Sequence, residues 1–269
     1  SLHDCGRCTA GIADFFGGFG LVTTSSTACS SAANSIMLGA DLIKSGRCDV
    51  VVAGGSECLT RYHLNGFNSL KILDSEPCRP FDATRNGLNL GEGAGFVVLE
   101  SEEHALNRGV APIGALDGYG NACDAFHQTA SSDDGEGAFL AMSKALNMSG
   151  LKPGDIDYVN AHGTATPNND ASESRAMIRL FGDKIPPVSS TKAFTGHTTS
   201  AAGSIEAVIC LLAIRHGFIP ANLNWKEPFD GGVVPDAEGH QGVQLDHVLC
   251  NSFGFGGNDS SLLISRYGK

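Results

Sequence analysis

Short β-branched or apolar runs alternate with segments of helical spacing along the whole chain, and this alternation constrains the fold more than any other feature. Leu21–Thr27 reads as a strand running into Cys29. Ala33, Ile36, Met37, Ala40 and Ile43 then keep helical spacing until Gly46 stops them. Asp49–Ala53 is an apolar run of the kind buried on both faces of a sheet, and Gly95–Leu99 is another. Glu102–Arg108 and Glu136–Met148 read as helices, Leu151–Asp155 as a turn and Ile156–Asn160 as a strand. Asp170 and Glu173 have capping-box spacing and open a helix that runs through Phe181. Ile205, Val208, Ile209 and Leu212 mark a last helix that ends near Gly217, and Val248–Asn251 and Ser261–Ser265 are late strands. Strands that alternate with helices imply a layered α/β fold with a mainly parallel or mixed sheet. Gly109–Pro112 is the candidate seam between two halves.

Composition narrows the function classes. Lys plus Arg is 18 and Asp plus Glu is 29, a formal net charge of −11, which disfavours nucleic acid and anionic membrane surfaces as partners. The most apolar stretch, Ala201–Ile219, is interrupted by Glu206, Arg215 and His216 and does not read as a membrane span. Nine cysteines without a regular framework imply reduced thiols in a cytoplasmic setting. Cys5 and Cys8 form a CxxC with no second pair, which reads as two thiols near a chain end and not as a metal site. The chain opens on Ser1 without a signal peptide, and the expectation is a processed or truncated product. The 35 glycines, about twice the usual share near 7%, imply many close backbone approaches or positive φ angles.

Four short segments carry chemistry. Thr27-Ala28-Cys29-Ser30-Ser31 places a cysteine where a helix begins, and the helix N-terminus favours thiolate. A cysteine at such a junction is also commonly a small packed hydrophobe. Asn160–Pro167 (NAHGTATP) sets His162 at the end of a buried strand, where α/β folds place their sites. Ser190–His197 (STKAFTGH) brings Lys192 and a second histidine, His197. Asn251–Gly257 (NSFGFGG) is a loop of alternating glycine and phenylalanine, with neither the lysine of a P-loop nor the spacing of a dinucleotide fingerprint.

In this order, and together with RPFDATRNGLNLGEGAG at Arg79–Gly95 and DVVVAGGSE at Asp49–Glu57, these motifs resemble the elongating β-ketoacyl-(acyl carrier protein) synthases of the condensing-enzyme family. The resemblance runs through essentially the whole chain and lacks what the family places ahead of it. It implies a thiolase-like layered αβαβα fold of two similar halves, the first incomplete, with residues 1–110 carrying the nucleophile and residues 111–269 carrying both histidines and the glycine loop. It implies decarboxylative condensation of an acyl-enzyme with a malonyl carrier thioester, with Cys29 as nucleophile, His162 and His197 as donors to the enolate oxygen, and no metal or organic cofactor. The backbone N–H groups of Cys29 and Phe255 would form the oxyanion hole. Phe255 would gate entry on a loop freed by Gly254, Gly256 and Gly257. Lys192 would join the site paired with Glu173 and Glu206, although an ordinary structural ion pair fits those residues equally. Asp170 would support the site or only cap its helix, and Phe67 would line the acyl pocket or be a core aromatic. Lys71 stands near a docking position for acyl carrier protein. The partner implied is a second copy, with a heterodimer as the other arrangement. Asn86, Asn89 and Asn258-Asp259 depart from the family's common Asp, apolar residue and Thr-Asn, which leaves open a fatty acid or a polyketide-type substrate. Two other readings are a non-catalytic chain-length subunit, which typically lacks the nucleophile present here, and an inactive fragment that needs its N-terminal part.

Overall fold

A computed structural model of the chain describes residues 4–268, so Ser1 lies outside it. The helices are α1 (Gly6–Phe16), α2 (Ser31–Lys44), α3 (Arg61–Ser69), α4 (Glu102–Asn107), α5 (Glu136–Ser149), α6 (Pro167–Phe181), α7 (Lys192–Thr195) and α8 (Ala202–His216). The strands are β1 (Val50–Glu57), β2 (Gly93–Glu100), β3 (Gly114–Cys123), β4 (Tyr158–Asn160), β5 (Val188–Ser189), β6 (Phe218–Ile219), β7 (His240–Gln241), β8 (His247–Gly254) and β9 (Asn258–Arg266).

A five-stranded mixed sheet in the order β3-β9-β8-β4-β5 is the centre of the molecule. β3, β9 and β8 pair antiparallel, whereas β4 runs parallel to both β8 and β5. Period-2 alternation sends its side chains into two cores. Val248, Cys250, Leu262 and Ile264 face a cluster with Ile36 and Met37 of α2 and Ala207, Cys210 and Ile214 of α8. Leu249 and Leu263 face the other way, onto Met142 and Leu146 of α5 and Met177 and Phe181 of α6. Beyond α2 and α8 lies an antiparallel ribbon in which Val50 pairs with Glu100 and Glu57 with Gly93. The layers therefore run α5/α6, sheet, α2/α8, ribbon, the layered α/β arrangement expected from the alternation.

Three expectations need correction. Residues 21–26 form no strand: they pair with no described strand, Thr24 donates its hydroxyl to Thr9 Oγ1 of α1 at 2.8 Å, and only a Thr27–Cys29 bridge remains. β1 is not buried on both faces, because Val50 and Val52 are exposed beside Phe96 and Val98 of β2. The proposed capping box does not open α6. That helix starts earlier, with Thr166 at the N-cap and Pro167 in its first turn, so Asp170 and Glu173 lie inside it. The sequence reading also passed over α1, α3 and β3. β3 is glycine-rich for a packing reason: a Cβ on Gly118 or Gly120 would sit 2.1 Å from a carbonyl oxygen of α5, that of Ala145 or Ala141 respectively. The helix backbone occupies the space where a β-branched side chain would have signalled a strand.

Candidate active site

Cys29 sits in a tight turn just ahead of α2. Ala28 has φ 52°, and Ser30 and Ser31 donate their N–H groups to the carbonyls of Thr27 and Ala28. A left-handed alanine is costly unless its surroundings impose it. Here side-chain bonds do so. The Thr27 N–H donates to Ser31 Oγ at 2.9 Å, and Ser31 Oγ in turn donates to the Ala28 carbonyl at 2.6 Å. Asn34 donates to Thr27 Oγ1 at 2.9 Å and to Asn258 Oδ1 at 2.8 Å. Asn258 Oδ1 also accepts from Asn121 at 2.9 Å and lies 2.7 Å from Ser30 Oγ. Sequence reasoning missed Asn34 and Asn121 as supports of the nucleophile turn. They stand on separate elements, and only Asn258 had been noticed, as a departure from the common residue.

The two histidines reach Cys29 from the large sheet. His162 follows β4, and its N–H donates to Glu173 Oε1 at 2.9 Å, while the Gly163 N–H donates to Oε2 at 2.8 Å. Asn251 adds a third donor to Glu173 at 3.2 Å. Asp170 accepts from the N–H groups of Phe81 at 2.7 Å and Ala165 at 3.2 Å, which ties the segment at Arg79–Gly95 to the His162 loop. Both carboxyls are pushed up by burial against these hydrogen bonds, Glu173 to about 7. His197 follows α7. Its N–H donates to the Asn89 carbonyl at 2.7 Å, and Gly91 donates back to the His197 carbonyl at 3.0 Å. A Cβ on Gly91 would stand 2.1 Å from the Thr195 carbonyl oxygen, so glycine is required for that approach.

These supports converge. His197 Nε2 lies 3.0 Å from Cys29 Sγ, and the two imidazole rings meet edge-on with centroids 5.2 Å apart. Neither Nδ1 has a partner among the described residues. The contact serves either tautomer: a proton on His197 Nε2 has the Cys29 sulfur as acceptor, and a proton on Nδ1 leaves Nε2 to accept from the thiol. Burial holds both rings well below the ordinary histidine range, and Lys192 lowers them further. The backbone N–H groups of Phe255 and of Cys29 itself both act on the Cys29 sulfur. Phe255 stacks on Phe67 of α3, with centroids 5.9 Å apart and planes at 29°. Phe67 is half-buried.

Two expectations about charge are corrected. Cys29 was expected to be drawn toward thiolate by the helix start. It is 5% exposed, and burial instead pushes its thiol up to about 11, past the opposing pull of Lys192 and the two N–H groups. Lys192 does not pair with both carboxylates. Its Nζ forms a buried ion pair with Glu206 of α8, while Glu173 is taken up by backbone and Asn251. Lys192→Met is expected to cost about 3 kcal/mol by leaving Glu206 buried without a counter-charge, and Lys192→Met with Glu206→Gln to recover most of it. Denaturant midpoints of the three proteins measure this. A single variant as stable as the parent would mean that the pair holds nothing together.

Among the described residues no group of three or more His, Cys, Asp or Glu is placed to hold a metal ion. Cys8 lies exposed on α1 with its Sγ 2.9 Å from Ser56 Oγ, and Cys5 precedes that helix, also exposed.

Residues 7–105 match the beta-ketoacyl synthase N-terminal domain, and residues 113–226 match the C-terminal domain of the same family. The chain belongs to the β-ketoacyl synthase family. It is 43% identical over 254 residues to a mitochondrial 3-oxoacyl-[acyl-carrier-protein] synthase of Arabidopsis thaliana, covering 89% of this chain and 55% of that protein. It is 44% identical over 254 residues to 3-oxoacyl-[acyl-carrier-protein] synthase 2 of Rhizobium meliloti, covering 90% and 60%. The chain therefore spans little more than half the length of these relatives. The ishigamide ketosynthase/chain length factor superposes with a TM-score of 0.94 at 36% identity, over 98% of this chain and 66% of that one. A type II polyketide ketosynthase solved with its acyl-carrier protein gives 0.92 at 29% identity, over 98% and 67%. The layers described above are thus those of the thiolase-like β-ketoacyl synthases.

Proposed function

We propose that this β-ketoacyl synthase chain carries out decarboxylative condensation of an acyl group held on Cys29 with a malonyl thioester of acyl carrier protein. The observation that carries this reading is one buried thiol in contact with His197, beside His162, under two converging backbone N–H groups. Cys29 Sγ bonds to the acyl carbonyl carbon, the carrier C–S bond breaks, and the thiol proton leaves with the carrier sulfur. The N–H groups of Cys29 and Phe255 hold the oxyanion that forms. The malonyl C–C bond then breaks, CO₂ departs, and the electron pair becomes an enolate whose oxygen accepts from His162 and His197. The enolate carbon bonds to the acyl carbonyl carbon. Cys29 leaves as thiolate and takes up one proton, and the product is a 3-oxoacyl thioester two carbons longer.

In this reading Phe255 gates the pocket and Phe67 lines it, with Lys192, Glu206, Glu173 and Asp170 as supports. The seam between the two family domains falls at residues 110/111. Acyl carrier protein docks near exposed Lys71. The functional unit pairs this chain with a second copy or with a chain length partner of the kind found beside the ketosynthase neighbours. The nine free thiols support a reducing, cytoplasmic setting. Retention of Cys29 against His197 supports catalysis over a non-catalytic chain-length role.

The test is intact mass after mixing with a medium-chain acyl carrier thioester, followed by peptide mapping. One acyl adduct on Cys29 is expected. An unmodified Cys29, or an adduct on another cysteine, would overturn the assignment.

A further inference from the structure

The His197 ring is aimed by its backbone. Its Nε2 faces the Cys29 sulfur, and its Nδ1 has no partner among the described residues, so no side chain behind the ring sets its angle. Asn89 and Gly91 hold His197 itself through main-chain bonds. The chain just beyond it is strained. Thr199 has φ 40°, a left-handed angle that a β-branched residue keeps only where its surroundings impose it. Thr198 and Thr199 are both buried, and a single 3₁₀ turn, Thr199–Ala201, carries the chain from His197 into α8.

The last residue of β1 reaches that turn. Glu57 Oε2 accepts from the Thr199 hydroxyl, from the Ser200 hydroxyl at 2.8 Å and, at 3.4 Å, from the Ser200 N–H. Its other oxygen, Oε1, accepts from the Cys58 N–H at 3.3 Å and stands 3.8 Å from His63 Nε2 of α3, the helix that carries Phe67. The strand comes close because it is glycine there: a Cβ on Gly55 would stand 3.1 Å from the Ser200 carbonyl oxygen. The Ser200 hydroxyl also lies 3.4 Å from the Ser56 carbonyl. Burial pushes the Glu57 carboxyl up, but the Thr199 and Ser200 bonds and then His63 outweigh it and hold it below the usual 4.5. The acceptor is therefore a carboxylate at neutral pH, and its bonds to the turn are charge-assisted and stronger than neutral ones. β1 needs none of this for its own pairing, since all eight of its residues are matched to β2 through the main chain.

We propose that Glu57 is a positioning residue for His197: its carboxylate clamps Thr199 and Ser200 and so fixes the turn that aims the imidazole at Cys29 and at the enolate oxygen. The inference rests on the role given above to His197 in condensation. Glu57→Ala frees the two hydroxyls and the N–H, and the strained Thr199 then has no acceptor to hold its angle. Glu57→Gln keeps a carbonyl oxygen in reach of the same donors and loses only the charge. Because the clamp acts through His197, it has nothing left to contribute to condensation once that ring is removed.

Nuclear magnetic resonance of the protein labelled only in its histidine rings tests this, with the His197 signal assigned by its disappearance in His197→Ala. The His197 signal is expected to move in Glu57→Ala and to stay near the parent position in Glu57→Gln. Thr199→Val, which keeps the branched side chain and removes the hydroxyl, is the second variant and is expected to move the signal in the same way, even where Glu57→Ala does not fold. In the kinetic arm Glu57→Ala is expected to lower condensation by about 10–10²-fold, the scale set by a misplaced catalytic group, and acylation by no more than His197→Ala does. Glu57→Ala added to His197→Ala is expected to cost no further condensation. A His197 signal that stays in place in both Glu57→Ala and Thr199→Val would overturn the proposal. So would a full further loss in the double variant, which would make Glu57 a support of the fold at large. The ring signals need no substrate. A parent that is never acylated, with the His197 signal moving as expected, would overturn the proposed reaction and leave the clamp standing.

Discussion

Cys29→Ala is expected to abolish acyl transfer outright, with no adduct on any of the other eight cysteines. The geometry explains why no other thiol substitutes. Cys78, Cys210 and Cys250 are as buried as Cys29 and Cys48 is half-buried, but among the described residues none of them hydrogen-bonds to a histidine. Cys5, Cys8, Cys58 and Cys123 are exposed and lie outside the cage formed by His162, His197 and the Phe255 N–H. The same variant leaves the fold nearly untouched, because it removes one sulfur from a turn held by Asn34, Ser31 and Asn258. A residual adduct after Cys29→Ala, mapped by peptide mass, would point to a different nucleophile.

The raised thiol pKa shapes how that nucleophile works. With a value of about 11, roughly one molecule in ten thousand is thiolate at pH 7. Ground-state thiolate is therefore not what makes Cys29 reactive. In the proposed mechanism the N–H groups of Cys29 and Phe255 stabilise negative charge once it develops on the bound thioester, where a buried dipole acts more strongly than it would in water. The same burial that costs the free thiol its ionisation would, in that mechanism, keep water away from the acyl-enzyme and from the enolate.

The residues that were legible in the sequence are those whose chemistry depends on type and local order. Cys29, His162, His197 and Lys192 each lie in a short motif, and the structure brings all four together. β8 and β9 were legible too, because the apolar runs Val248–Cys250 and Leu262–Ile264 supply both cores and need no knowledge of their neighbours. What escaped depends on contacts far apart in the chain. β3 uses glycines because α5 lies against it, and that is invisible without α5 in place. Segment 21–26 has the composition of a strand, yet a strand exists only where a neighbour accepts its hydrogen bonds. The pairing of Lys192 with Glu206 and not Glu173 was set by two N–H groups of the His162 loop, which claim Glu173 first. The helix-start argument for Cys29 had the right sign for one contribution and lacked the burial that outweighs it.

The two histidines are expected to separate the two chemical steps. His162→Ala is expected to reduce condensation by about 10²–10³-fold, the usual cost of losing one oxyanion donor, and to leave acylation of Cys29 close to the parent rate. The proposed mechanism gives His162 to the enolate, and its ring packs against His197 and Phe253. His197→Ala is expected to lose condensation by a similar factor and acylation by about tenfold at most, because its Nε2 also contacts the attacking sulfur at 3.0 Å. Burial and Lys192 hold both rings well below 6.5, so they are neutral N–H donors at pH 7. The imidazoles are therefore expected to gain no proton as the pH falls through 6.5, and any loss of condensation there is expected to follow Glu173, whose carboxyl is pushed up to about 7 beneath the His162 loop. Single-turnover acylation by mass, set beside malonyl-dependent product formation, separates the steps. Equal losses of both steps in His197→Ala would remove the division of labour and make that histidine the base for Cys29.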